Sequence, residues 1–323
     1  MRAPQLAWHR SFTAAALVLA LFVVYLLRNH NSFGSIEALG ITNAALPLGL
    51  AAVGETFVIL TNGIDLSIGS VITLSNVTCA VLAEHHHGPL PVVAALGAGV
   101  GAGIVNGLIV SYARIAPLIA TLATSSIYLG FALIILPIPG GSVPTWLSNS
   151  TSGSVGSLPV AALWLIGAIV LGWVVLNRTP FGIRLQALGG SEAASWSAGI
   201  RVTRVRILAY TASGLCSGLA GVVLAGLTQS GDATIGAVYL LNGIAAVVVG
   251  GTSLAGGVGT LSGSVLGAIA LSLVSAVLLV SGLSTDYQYI VTGAIVIGAL
   301  LAHSLQAKIR IPALARSRPG RAA

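Results

Sequence analysis

Residues 54–70 read G-E-T-F-V-I-L-T-N-G-I-D-L-S-I-G-S. They join two apolar runs, 43–61 and 66–83, through the break Asn62-Gly63-Ile64-Asp65. They also carry Glu55 and Asp65, two of only seven acidic residues in a chain of 323. Each run approaches the ~20 apolar residues that a helix needs to cross a bilayer. Neither alternates apolar and polar positions, as strands of a membrane barrel do. In lipid a helix satisfies its own backbone hydrogen bonds. Two helices joined by a tight polar turn are therefore expected, and this unit sets the pattern for the rest of the chain.

Composition extends the pattern. The chain is 56% hydrophobic and 7% charged, with a mean hydropathy of +0.99. A soluble domain carries roughly 25% charged residues. Ten apolar segments are legible, at about 11–28, 43–61, 66–83, 90–111, 117–136, 159–177, 207–228, 238–251, 261–282 and 287–304. The expected fold is all-α, a polytopic transmembrane helical bundle of about ten spans over 11–304. Residues 1–10 and a basic tail, 305–323, flank it. Arg2 and Arg10 followed by the run Phe12 to Leu27 resemble a signal peptide, but Arg28-Asn29-His30 follows in place of a small-residue cleavage site, so a retained first helix is expected.

Basic residues orient the bundle. Arg2, Arg10, Arg114, the five arginines of loop 178–206 and the five basic residues of the tail all fall on one side of ten crossings. That side is expected to be cytoplasmic, with both termini. The opposite loops, 29–42, 84–89, 137–158, 229–237 and 283–286, hold Glu37, Glu84, Asp232 and Asp286. A net charge of +7 dispersed through short loops excludes a nucleic-acid interface. Glu84-His85-His86-His87 lacks the spacing and support of a metal site. Cys79 and Cys216 lie in apolar runs as small buried side chains. No metal or cofactor is expected.

The remaining polar residues are few. Gly63 is expected to take the left-handed conformation that ends a helix. Asp65 would then cap the next helix through the N–H of Ser67 or Ile68, with a role in transport as the other reading. Glu55 lies about two turns inside its helix, with no Lys or Arg within twenty residues on either side. A charge there is costly and normally faces a cavity, so Glu55 is expected to face the bundle interior and to be open to water. Asn62, Asn76, Asn106 and Asn242 are candidates for lining a pathway or for bonding helices together. A second break, G-G-T-S-L-A-G-G-V-G at 250–259, brings Gly250, Gly251, Thr252, Ser253, Gly256 and Gly257 to the same side. It is no phosphate-binding loop, because no Lys follows and the only lysine is Lys308. In loop 178–206, Ser191 precedes Glu192, Ala193 and Ala194, and Gly199 follows. That predicts a short capped helix parallel to the membrane. It serves either to pass force from a cytoplasmic partner or simply to hold positive charge inside.

These same stretches carry a resemblance. Residues 56–70, 105–110, 114–122, 178–182, 187–194 with Gly199-Ile200, and 244–260 resemble, in order, the permease subunits of ribose-type ABC importers in the branched-chain amino-acid/ribose permease superfamily. The resemblance implies a pair of permease chains, a cytoplasmic ABC ATPase pair and an extracytoplasmic solute-binding protein. It implies that 187–200, with Gly189, Gly190, Glu192, Ala193, Ala194 and Gly199, couples to the ATPase. The chain departs from the family at 237–243, where A-V-Y-L-L-N-G replaces a segment with two acids, and at Glu55, where an apolar residue is common. The expected function is import of a monosaccharide or related small polar solute by alternating access across the cell membrane, without covalent chemistry. A branched-chain amino-acid permease, and an ion-coupled secondary transporter using Glu55 and Asp65, are the alternatives.

Overall fold

The computed structural model describes residues 3–30 and 32–283, with isolated residues between 287 and 298. Its core is α2 (Ser35–Leu60), in which every residue from Ala45 to Leu60 is buried. A helix that is apolar all round belongs inside a bundle. Around it stand α1 (Ala3–Arg28), α3 (Ile68–Ala83), α4 (Leu90–Leu108), α5 (Pro117–Ile135), α7 (Val160–Arg178), α10 (Val202–Thr228), α11 (Ala237–Val249) and α12 (Leu261–Val280). Helices α10, α12, α11 and α7 pack directly on α2, and α1 packs on α12. Among the described residues, six helices are long and apolar enough to cross a membrane, while α3, α11 and the apolar part of α1 are shorter.

Nine of the ten expected segments are helices among the described residues. The tenth, 287–304, lies largely outside them. α2 begins at Ser35 and not near residue 43. The reason is local: the Gly34 N–H donates to Glu37 Oε2 at 2.8 Å, which seals the first turn. Glu37 therefore opens a helix where a loop was expected, placed where a negative charge suits the helix dipole. The connection 137–158 is not one continuous loop. It holds α6 (Thr145–Ser152) and a small hairpin of β1 (Ser154–Val155) and β2 (Leu158–Pro159). The basic connection 178–206 holds two helices, α8 (Pro180–Gly190) and α9 (Glu192–Ser197). α8 starts on Pro180, with the Thr179 hydroxyl accepting from the Gly182 N–H. Proline at the first position and a hydroxyl cap are a strong start signal.

The connections sort into two ends. At one, Gly140 and Gly231 exchange backbone bonds of 3.0 and 2.7 Å, and Trp146 Nε1 donates to the His87 carbonyl at 2.9 Å. Loops 84–89, 137–158 and 229–237 thus share an end. At the other, the Gly257 N–H donates to the Leu60 carbonyl, and the Leu66 N–H donates to Thr121 Oγ1. That end gathers 61–67, the start of α5, α8 and 250–260. The grouping is the one alternate crossings require.

Glycine brings α4 and α10 into close contact. Gly99 and Gly103 on α4 meet Gly214 and Gly218 on α10, backbone against backbone. Lipid gives apolar side chains no reason to leave it, so helices associate in membranes through such close packing. Gly97 and Gly101, on the other face of α4, meet nothing. A Cβ at position 103 would run into the Tyr210 carbonyl, whereas one at 101 has open space. Gly103→Ala is therefore expected to destabilise the detergent-purified protein by about 1–3 kcal/mol, as overpacking does. Gly101→Ala should leave the thermal midpoint unchanged or slightly raised, since Ala favours helix over Gly. Equal midpoints for the two variants would contradict this packing.

Candidate functional site

The turn after α2 ends that helix with two bonds to one carbonyl: the N–H groups of Thr61 and Gly63 both donate to Val58 O. Asn62, not Gly63, takes the left-handed conformation, at φ 64°. Asparagine tolerates that region better than most residues. Gly63 is required for a different reason. A Cβ there would lie 2.9 Å from the Tyr210 hydroxyl and 3.1 Å from Val58 Cγ1.

Two residues on, Asp65 is buried, at 3% exposure, and fully bonded. Its Oδ1 accepts from the Ser67 N–H at 3.0 Å and the Ser67 hydroxyl at 2.6 Å. Its Oδ2 accepts from the Ser213 hydroxyl at 3.0 Å, on α10. The bond from the Ser67 N–H is as the sequence leads one to expect, but Ser67, not Asp65, stands at the N-cap of α3; the α10 bond is not legible there. Ser67 Oγ in turn accepts from Asn106 Nδ2 at 2.7 Å, and Asn106 Oδ1 accepts from the Tyr128 hydroxyl at 3.1 Å. One continuous network therefore joins the turn to α3, α4, α5 and α10. Buried polar networks of this kind specify one arrangement when each member is satisfied.

Glu55 enters the network from α2. It is fully buried, and Oε1 accepts from the Asp65 N–H at 3.2 Å. Oε2 has no hydrogen-bond partner among the described residues. The side chain faces the bundle interior, as expected. It is enclosed by protein there, which departs from the expectation of water access: Gly54 beside it packs against Ser213 and Cys216. Asn76 fastens elements at the opposite end, with Nδ2 donating to Gly221 O at 3.4 Å and Oδ1 accepting from the Asp232 N–H at 2.9 Å. Asn62 is exposed and Asn242 half-buried on α11. The five residues Glu55, Asn62, Asn76, Asn106 and Asn242 do not meet in one cavity. Glu55 and Asn106 belong to the Asp65 network.

The glycine-rich stretches do come together. The Gly257 N–H donates to Leu60 O at 3.1 Å. Gly251, Gly256 and Gly257 hold φ of 85°, 81° and 71°, a region that glycine enters without steric cost. A Cβ on Gly189 would collide with Leu60 O and Gly257 N, and one on Gly256 would sit 3.0 Å from the Asn62 backbone nitrogen. Within the loop the Ser253 N–H donates to Val258 O, and the Thr252 N–H donates to Val247 O, closing the end of α11. Gly250 meets Gly263 of α12 backbone to backbone. The end of α2, the end of α8 and the 250–260 loop thus form one junction made largely backbone to backbone.

Beside it α9 is capped as expected. Ser191 Oγ accepts from the Ala194 N–H at 3.2 Å, and Gly199, at φ 77°, ends the turn. Glu192 pairs with Arg206 at 2.8 Å, pinning α9 to the start of α10. Ala193, Ala194 and Trp196 are exposed. A cleft of about 980 Å³ separates α9 from the start of α5, lined by Asn62, Arg114, Gly190, Glu192, Trp196 and Arg206. Ser213, Tyr128 and Thr121 are the network members that sequence reasoning passed over. A hydroxyl in an apolar helix is an ordinary sight, and Ser213 lies 148 residues from its partner.

Gly189→Ala is expected to disrupt the junction, because its Cβ meets backbone that cannot yield. Gly190→Ala, whose Cβ meets nothing, should be silent. Protease sensitivity of the 250–260 loop reads the difference: a rise of several-fold in Gly189→Ala alone is expected, roughly the effect of 1 kcal/mol or more.

Residues 37–300 match the family described as branched-chain amino acid transport system / permease component. The ribose import permease protein of Bacillus subtilis (strain 168) is 39% identical over 290 residues, covering 88% of this chain and 90% of its own. The ribose import permease protein of Escherichia coli (strain K12) is 33% identical over 245 residues, 73% of this chain and 75% of its own. The galactofuranose transporter permease protein of the same strain is 33% identical over 230 residues, 70% of this chain and 66% of its own. No solved structure matches. The matched range contains the Asp65 turn, the glycine junction and α9. With its long apolar helices, the chain is a multi-pass membrane protein that belongs to the family of branched-chain amino acid transport system permease components.

Proposed function

We propose that this chain is the membrane-spanning permease subunit of an ATP-binding-cassette importer for a monosaccharide or related small polar solute. The observation that carries the reading is identity of 39% to a ribose import permease across nine-tenths of both chains. The family's printed description names branched-chain amino acids, but the most similar relatives take up sugars or, in the Yersinia enterocolitica case, autoinducer 2. The proposal extends to ten spans with both termini in the cytoplasm, supported by the arginine distribution, and to a pair of identical chains in the plasma or inner membrane.

The proposed mechanism is alternating access. An extracytoplasmic binding protein delivers the solute at the end that carries α6 and the hairpin. A cytoplasmic ATPase acts on α8 and α9. Geometry supports that assignment, because this is where a push reaches several spans at once. The Glu192–Arg206 pair leads from α9 into α10. The bare backbone contacts of Gly189 lead to the end of α2 and to the loop that starts α12. Such contacts carry small displacements without slack, since no flexible side chain lies between them.

Uptake of radiolabelled ribose and related pentoses into proteoliposomes tests the proposal. Transport should require the permease, the ATPase, ATP and the loaded binding protein together, with no ATP hydrolysis by the permease alone. Uptake by the isolated permease under a proton gradient would overturn it.

A further inference from the structure

The Asp65 network leaves two groups in the core unsatisfied. Glu55 Oε2 on α2 and the Tyr210 hydroxyl on α10 have no hydrogen-bond partner among the described residues, and both side chains are fully buried. They flank the same turn. Glu55 Oε1 accepts from the Asp65 N–H, and the Tyr210 hydroxyl lies over Gly63, where a Cβ would come within 2.9 Å of it. Tyr210 stands one helical turn before Ser213, the α10 donor to Asp65. It feels the charges of Asp65 and Glu55, and of Arg206, which is paired with Glu192. Buried polar groups are nearly always hydrogen-bonded, so two orphans at one turn need a cause.

Charge supplies it. Two carboxylates meet at this turn, and Asp65 holds three donors that steady an anion. Glu55 has one backbone donor at 3.2 Å, and the charge that bears on it among the described residues is that of Asp65, of the same sign. The elements packed on α2 offer no counter-ion. α3, α6, α11 and α12 carry no charged residue. Arg178, at the end of α7, is exposed over the Trp173 ring, and Arg184 on α8 and Arg204 on α10 are exposed. Arg206 is taken by Glu192, and Glu37 lies at the far end of α2. The other titratable side chains on these helices are the thiols of Cys79 and Cys216 and the phenols of Tyr210 and Tyr239. Where two carboxylates share a buried site without a cation, one of them keeps its proton.

We propose that Glu55 is held as the neutral acid, with its proton on Oε2 and directed to the Tyr210 hydroxyl oxygen, so that the turn contains a bound proton. The acid is then a donor and the tyrosine oxygen an acceptor. Both orphans are satisfied without a second buried charge, and α2 gains a link to α10. Water stands close by, since Thr61 and Asn62 line the cleft of about 980 Å³. When the turn opens and water reaches Glu55, the O–H bond breaks, its electron pair stays on the carboxylate and the proton passes to water. The closed turn therefore binds one proton more than the open one. Acid favours it, and rising pH weakens it. The inference goes beyond the permease reading and does not depend on the solute carried.

Infrared spectroscopy of the full-length protein in nanodiscs reads the proton directly. The carbonyl stretch of a neutral carboxylic acid lies above the amide band and shifts in D2O. At about pH 7, where ordinary carboxylates are ionised, wild type should show such a band and Glu55→Gln should lack it. Tyr210→Phe should keep the band and move it to higher frequency, because the acceptor is lost, and this variant tests the pairing even where Glu55→Gln fails to fold. Glutamine is a neutral isostere, so the thermal midpoint of Glu55→Gln should match wild type at about pH 6 and fall less steeply toward about pH 9. A wild-type spectrum without the band, or the same band in Glu55→Gln, would overturn the proposal. Midpoints that fall equally in the two proteins would overturn the bound proton as a brace of the closed turn. An unmoved band in Tyr210→Phe would overturn the pairing with Tyr210.

Discussion

A charged carboxylate inside an apolar bundle is costly unless its oxygens are hydrogen-bonded. Asp65 meets that condition with donors from its own turn and from α10. The rest of the architecture follows from it. For Ser213 to reach the turn, α10 must cross α2 closely at Gly54. For Ser67 to be free to bond Asn106, α3 must start where it does and α4 must lie beside it. The turn is thus both the end of one helix, α2, and the point where four others, α3, α4, α5 and α10, are brought into register. Removing the Asp65 carboxylate would leave Ser213 and Ser67 without their acceptor, and a stranded buried group costs about 1–3 kcal/mol.

The second constraint is the absence of a hydrophobic drive between helices in lipid. Here it is met by glycine, twice and in two ways. Between α4 and α10 the glycines repeat at helical spacing, and the helices touch along their length. At the junction of Leu60, Gly189 and Gly257 they are loop and helix-end residues, and the contact is a single point. The first kind fixes a wall of the bundle. The second joins segments far apart in sequence where movement of one must be felt by the others.

Much of this was legible in the sequence because it is local. Long apolar runs become helices, Ser191 caps α9 and Asp65 binds the Ser67 N–H. Each depends on residues within a few positions. What was not legible depends on distance or on competition. The extra turns of α2 were hidden by the mixed composition of 35–42, where one glutamate decides the matter. The left-handed residue is Asn62, because Gly63 is needed for space against Tyr210, which lies on another helix. Asn76 and Asn106 look alike in sequence, yet one ties α3 to the 231–232 turn while the other is inside the Asp65 network. No spacing rule separates them.

Glu55 shows the limit most clearly. A carboxylate about two turns inside a helix suggests water. The structure places it against the Asp65 N–H, through one bond of 3.2 Å. Asp65 itself holds three shorter bonds, to Ser67 and Ser213. The turn is therefore attached more firmly to α3 and α10 than to the Glu55 side chain. The same asymmetry recurs one turn of helix below, where α2 meets the junction through the Leu60 carbonyl alone. Around its Leu60 end, α2 is held by separate bonds, from the Asp65 N–H to Glu55, from the Gly257 N–H to Leu60 O and between the Thr56 and Ser264 hydroxyls at 2.7 Å, while α3, α4 and α10 are tied to one another by a network.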